Sequence, residues 1–172
     1  MYPNDPSQGV PYGRFGNMTF PSLGLQWRRF AAISGDILII SSARWSSEIL
    51  SCAGSEVYKY RFNVSTNLLG FPDILGATHT VEIPYVFNIP ELRKSSELSK
   101  VVDIMSRSWI SFVNDLTPNN HGLNGVPFWT SYSKRKSEFV VAIDSMKMEA
   151  DNYRKKGMQF INSVILRTAK IE

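Results

Sequence analysis

Residues 57–64 read Val57-Tyr-Lys-Tyr-Arg-Phe-Asn-Val64 and alternate along their whole length. Tyr58, Tyr60, Phe62 and Val64 share one face; Val57, Lys59, Arg61 and Asn63 share the other, because side chains of an extended chain point to opposite sides in turn. The run is therefore a strand with one buried face. Phe139-Val-Val-Ala-Ile143 reads as a short buried strand. Ile37-Leu-Ile-Ile40 is ambiguous, since an apolar β-branched run fits a buried strand or a buried helix. Two or three strands are too few for a stable α/β sheet. The pattern predicts an incomplete sheet, the end of something larger.

Helical signals surround these runs. Leu98, Val101, Val102, Met105, Trp109, Phe112, Val113 and Leu116 recur at spacings of three and four and predict one helix with a single apolar stripe. Pro118-Asn-Asn-His-Gly ends it. Earlier, a short helix is expected around 25–33. Gly35-Asp36 then reads as a stop followed by an N-cap, with a second helix over 37–51 whose apolar start should be buried. A last helix is expected from about 148 to 168, with Tyr153, Phe160, Ile161, Val164 and Ile165 on one face. Residues 1–23, rich in Pro, Gly, Asn and Ser, read as loop. No boundary signal marks a second domain within 1–172.

Composition excludes several classes. With 43% hydrophobic and 20% charged residues the chain can build a core, so wholesale disorder is not expected. The net charge is +4, but the basic residues are scattered apart from Lys134-Arg-Lys136 and Arg154-Lys-Lys156. No basic stripe with interleaved aromatics appears, so these read as solvated faces and no nucleic-acid partner is expected. No apolar run reaches membrane-spanning length, and the first residues lack the basic start and apolar stretch of a signal peptide. The single cysteine, Cys52, has no partner for a disulfide or a metal site and reads as a small buried hydrophobe. Sequons at Asn17 and Asn63 are candidate glycosylation sites.

One block carries chemistry. Gly76-Ala-Thr-His79-Thr-Val-Glu82-Ile-Pro-Tyr85-Val-Phe87 follows the strand at 57–64 through a loop containing Gly70 and Pro72. A histidine in a loop past a late strand is where an α/β-hydrolase keeps its general base. Taken alone, His79 reads more readily as a loop histidine hydrogen-bonded to backbone. His121, in the loop after Pro118, reads as simply exposed. No Gly-x-Ser-x-Gly nucleophile elbow occurs in the 172 residues.

The chain resembles the C-terminal part of the type-B carboxylesterase/lipase family, which includes the cholinesterases and fungal secreted lipases. Four blocks carry the resemblance: Tyr2-Pro-Asn-Asp-Pro-Ser-Gln-Gly; Arg29-Phe-Ala-Ala-Ile-Ser-Gly35-Asp36; Gly76-x-x-His79-x-x-Glu82-Ile-x-Tyr85-Val-Phe87; and Met105-x-x-x-Trp109-x-x-Phe112 with Pro118-Asn119 and Trp129-x-x-Tyr132. The third is the most specific. The sequence departs from the family pattern at Ser41-Ser42, where many members have Cys-Pro, at Thr117 before Pro118-Asn119, and at Trp129-Thr.

The resemblance implies an α/β fold, the last strands of an α/β-hydrolase sheet with their packing helices, and a carboxylic-ester hydrolase acting on a small-molecule or lipid ester. It implies His79 as catalytic base, with nucleophile, oxyanion donors and acid upstream, so that the chain alone should be inactive. Glu82 is expected to accept hydrogen bonds near the histidine loop rather than to be the triad acid. Trp109 and Phe112 are expected in the core. Neither cofactor nor metal is implied, and a secreted location is. Two alternatives stay open: a non-catalytic adhesion relative, or an independent small domain.

Overall fold

Residues 2–7, 17–65 and 72–168 are described by a computed structural model; Gly70 lies outside them. The chain divides into two compact units, Ser55–Ala150 and the pair Met1–Gly54 with Asp151–Glu172.

The first of these holds the sheet. Strand β1 (Tyr60–Phe62) runs parallel to β2 (Ser137–Val141), with Tyr60 opposite Phe139 and Phe62 opposite Val141. The pairing extends beyond the regular strand: Tyr132 N–H donates to Val57 at 2.7 Å and Asn63 N–H to Val141 at 2.8 Å. So the alternation at 57–64 is realised, and all five residues of β2 are buried. β3 (Lys147–Ala150) pairs antiparallel with β2 on the other side. The order is β1-β2-β3, a three-stranded mixed sheet among the described residues.

β3 corrects the expectation of a helix from 148. Lys, Met, Glu and Ala are all good helix formers, so local propensity points the wrong way. Pairing with β2, and the Arg61–Glu149 ion pair at 3.0 Å, override it. On one face of the sheet Lys59 meets Glu138 at 2.9 Å and Arg61 meets the same carboxylate at 3.1 Å. The other face is apolar and aromatic. Helix α3 (Ile83–Val86) and helix α4 (Ser96–Asp115) belong to the same unit. The core gathers Val64, Tyr85, Leu98, Val102, Met105 and Phe139.

α4 begins where Ser95 caps it, its side chain accepting from Leu98 N–H. The predicted stripe holds only in its first half. Leu98, Val101, Val102 and Met105 are buried, whereas Val113 and Leu116 are 76% and 73% exposed. Periodicity tells which residues share a face; it does not supply a partner for that face.

In the other unit, α1 (Trp27–Gly35), a π turn (Asp36–Ile40) and α2 (Ser41–Cys52) follow without a break. The expected stop at Gly35-Asp36 is absent: Gly35 has helical φ −62° and ψ −41°, and Ser41 N–H bonds to Asp36 C=O five residues back. Asp36 caps nothing, because its buried carboxylate is taken by Tyr2 Oη at 2.7 Å and the Arg154 guanidinium at 2.9 Å. The apolar start of the second helix is not buried either, with Leu38 70% exposed. Cys52, expected inside, is exposed at the end of α2. Helix α5 (Lys155–Thr168) is joined to α2 by Asn162 donating to Ser41 C=O at 3.2 Å and by the buried Arg44, which pairs with Asp151 and reaches Met158. α5 buries only Met158 among its described residues; Phe160, Val164 and Ile165 are exposed.

Two tyrosines of this unit set an alkaline limit. Burial pushes Tyr153 up to about 12 despite nearby Arg154. Burial and the hydrogen bond to Asp36 push Tyr2 higher still. An unfolded tyrosine ionises near 10. Above that pH the unfolded chain releases protons that the folded chain keeps, so stability falls as pH rises from about 10 towards 12. The urea midpoint is expected to drop between pH 9 and pH 11, and less so in a Tyr153→Phe variant. Equal slopes in the two proteins would contradict this origin.

Candidate functional site

The histidine block is a tight turn pinned at its far end. Gly76 is buried with φ +64°, a conformation open to glycine at no steric cost. Val81 N–H bonds to Thr78 C=O at 3.4 Å, and Ile83 N–H to Thr80 C=O at 3.1 Å. α3 follows, with Pro84 in its first turn where a missing N–H costs nothing. Val81 and Tyr85, four residues apart, point into the core. The Tyr85 ring lies 5.1 Å from Phe62 of β1, so the turn is fastened to the strand the alternation predicts.

His79 stands at the exposed tip. Its imidazole makes no hydrogen bond to any described residue. Thr80, next to it, has φ +70°, which strains a β-branched residue. The Thr80 hydroxyl donates to the His79 carbonyl. Glu82 is half-buried, and its backbone carbonyl opens α3 by accepting from Tyr85 and Val86 N–H. Its carboxylate bonds to no described residue. Burial, and after it the charge of Glu82, holds the Tyr60 hydroxyl above its ordinary range. His79 and Glu82 thus share one turn without touching a common group. The anchors Val81 and Tyr85 were not singled out from sequence, although their four-residue spacing signals a shared buried face.

Other candidates fall elsewhere. His121 is not simply exposed: it is half-buried, its Nδ1 accepts from Leu123 N–H at 2.9 Å, and burial with nearby Arg107 lowers its pKa. Trp109 is half-buried and Phe112 is 41% exposed, at the margin of the core rather than within it. Asn17 and Asn63 are both exposed. Among the described residues, no group of three or more His, Cys, Asp or Glu side chains could hold a metal ion, and no helix is long and apolar enough to cross a membrane.

Residues 25–161 match the model of the carboxylesterase family. Among curated proteins, Secreted lipase 1 of Botryotinia fuckeliana is 27% identical over 160 residues, covering 93% of this chain and 26% of that protein. Lipase 4 of Diutina rugosa is 28% identical over 160 residues, 91% of this chain and 26% of the relative. Carboxylesterase 1E of Mus musculus is 28% identical over 119 residues, 67% and 20% of the two chains. The chain thus spans about a quarter of the length of these relatives. Two solved structures share the α/β fold over the part that this chain covers. Aspergillus niger EstA has a TM-score of 0.64 at 20% identity over 94% of this chain and 31% of its own, and the Geobacillus stearothermophilus carboxylesterase EST55 has 0.60 at 22% identity over 77% and 28%.

Proposed function

We propose a function from one premise: the chain belongs to the carboxylesterase family. Residues 1–172 are the C-terminal portion of one carboxylesterase domain, and His79 is the general base of a serine ester hydrolase acting on a small-molecule or lipid ester. The supporting observation is the His79 turn itself, an exposed imidazole bonded to no described residue, on a loop anchored to the sheet through Tyr85 and Phe62.

In this reading His79 takes the proton of a serine hydroxyl as that oxygen attacks the ester carbonyl. It returns the proton to the departing alcohol, and the cycle repeats with water. Imidazole suits both halves because its ordinary pKa lies near neutrality. The serine, the oxyanion donors and the triad acid come from outside these residues, as the length of the relatives allows. Glu82 is a structural neighbour of the base. The chemistry calls for no cofactor. A secreted location, with glycans on the exposed Asn17 and Asn63, accompanies the reading.

The 172-residue chain alone is then expected to hydrolyse p-nitrophenyl acetate no faster than its His79→Ala variant, because a base without a nucleophile forms no acyl-enzyme. The longer gene product that carries these residues is expected to turn the ester over. Activity of the short chain well above the His79→Ala control would place the nucleophile within it and sink the reading.

A further inference from the structure

The chain after α4 closes on itself. Asn119 grips Trp129 twice: its Nδ2 donates to the Trp129 carbonyl at 3.1 Å, and its Oδ1 accepts from the Trp129 N–H at 2.8 Å. Trp129 is fixed in turn. Its ring stacks on Phe139 at 5.0 Å and 17°, and its indole N–H donates to the Lys59 carbonyl at 3.1 Å. Residues 120–128 are thus a loop with fastened ends. Leu123 and Val126 pack from it against the core, while Gly122, Asn124, Gly125 and Phe128 are exposed.

One bond folds the first half of this loop inwards. Gly122 turns at φ +69°, and the Leu123 N–H falls back on His121 Nδ1 at 2.9 Å. An imidazole nitrogen accepts only while it carries no proton, so the bond requires neutral His121 with its proton on Nε2. A protonated ring has N–H groups at both positions and sets donor against donor at Leu123. Half-burial opposes a positive ring here, and so does the Arg107 guanidinium of α4. Asp103 of the same helix pairs with Arg93 at 2.8 Å and Arg107 at 3.8 Å, and Asp115 accepts from Asn120 at 3.1 Å. Residues 117–130 carry no Asp, Glu, Lys or Arg.

We propose that residues 120–126 form an acid-opened flap, held shut by neutral His121 and released when that imidazole takes up a proton. An asparagine amide does not titrate, so the Asn119–Trp129 clasp stays fastened while Leu123 and Val126 leave the core. An ordinary histidine ionises near pH 6.5. Below that pH the open flap holds a proton that the closed flap resists, so closure is fully present above it and weakens as pH falls. Neither His79 nor ester chemistry enters, so the flap stands or falls separately from the functional reading above.

The test is amide hydrogen exchange of the full-length protein between pH 7.5 and pH 5, read by mass spectrometry and corrected for the intrinsic pH dependence of exchange. Peptides from 120–126 report the flap, and peptides from 98–106 of α4 serve as the internal control. Flap protection is expected to fall about threefold or more over this range while α4 holds. His121→Asn is expected to keep the flap closed at both ends of the range, because an Asn oxygen accepts from the N–H two residues on and does not titrate. His121→Ala should leave the flap unprotected already at pH 7.5. A parent flap flat with pH, a loss shared equally by α4, or the parent's slope retained in His121→Asn would each overturn the proposal. Should His121→Asn not fold, which lost protection in α4 would reveal, the parent's profile and His121→Ala decide. Parent-like protection in His121→Ala at pH 7.5 would then refute the flap.

Discussion

Replacing His79 by Gln in the proposed longer esterase is expected to lower kcat/KM on the order of 10⁴-fold or more, because the nucleophile, base and acid of such a site work as a unit. Gln keeps a hydrogen-bonding side chain of similar reach but cannot accept and return a proton at neutral pH. Two further readouts separate lost chemistry from lost structure. The melting temperature should hardly change, since His79 is exposed and bonded to no described residue, and surface substitutions of that kind stay within about 0.5 kcal/mol. Binding of a non-hydrolysable substrate analogue should persist. Activity within about tenfold of the parent would remove His79 from the mechanism and favour a non-catalytic member of the family.

Asp151→Asn is expected to be the most damaging single change to stability. Arg44 and Asp151 have side chains only 3% and 2% exposed, and their ion pair links α2 to the chain entering α5. Asn removes the charge of this partner from a buried guanidinium, and breaking a buried pair from one side costs about 3–5 kcal/mol. The surface pair Arg93–Asp103, with side chains 35% and 31% exposed, marks the contrast. Asp103→Asn should cost no more than about 1 kcal/mol, since water already screens that pair. Urea unfolding of the two variants beside the parent checks the order. A loss below about 1 kcal/mol for Asp151→Asn would show that the buried pair is not what holds this unit together. Replacing Arg44 and Asp151 together by Met and Leu should recover part of the loss, because neither charge of this pair then faces the other's absence.

The histidine block was legible in part. Its Gly76 answers a local demand, a positive φ, whereas Tyr85 as the buried anchor against Phe62 shows only in the structure. The strand at 57–64 was legible from its period of two, and the buried strand beside it from a short continuous apolar run. The longest helix could be read because twenty residues average out local noise. Gly35-Asp36 misled because its letters match a stop signal, while the decision lay with Tyr2 and Arg154, 34 and 118 residues away, which claim the aspartate. Residues 147–150 misled because helix-forming letters there are held extended by a neighbouring strand. Cys52 misled because cysteine is usually buried, and only the end of α2 shows that this one is not.

What the amino-acid order determined by itself, then, is the family, the α/β class with its short sheet, and the position of the candidate base, because each rests on contiguous residues whose spacing is the signal. What only the tertiary structure decided is which apolar faces are covered, that Asp36 pairs with Arg154 rather than capping a helix, and that Asp151 pairs with Arg44. Those outcomes depend on which distant residue arrives to meet each group, and pairings across more than a hundred residues leave no mark in local periodicity.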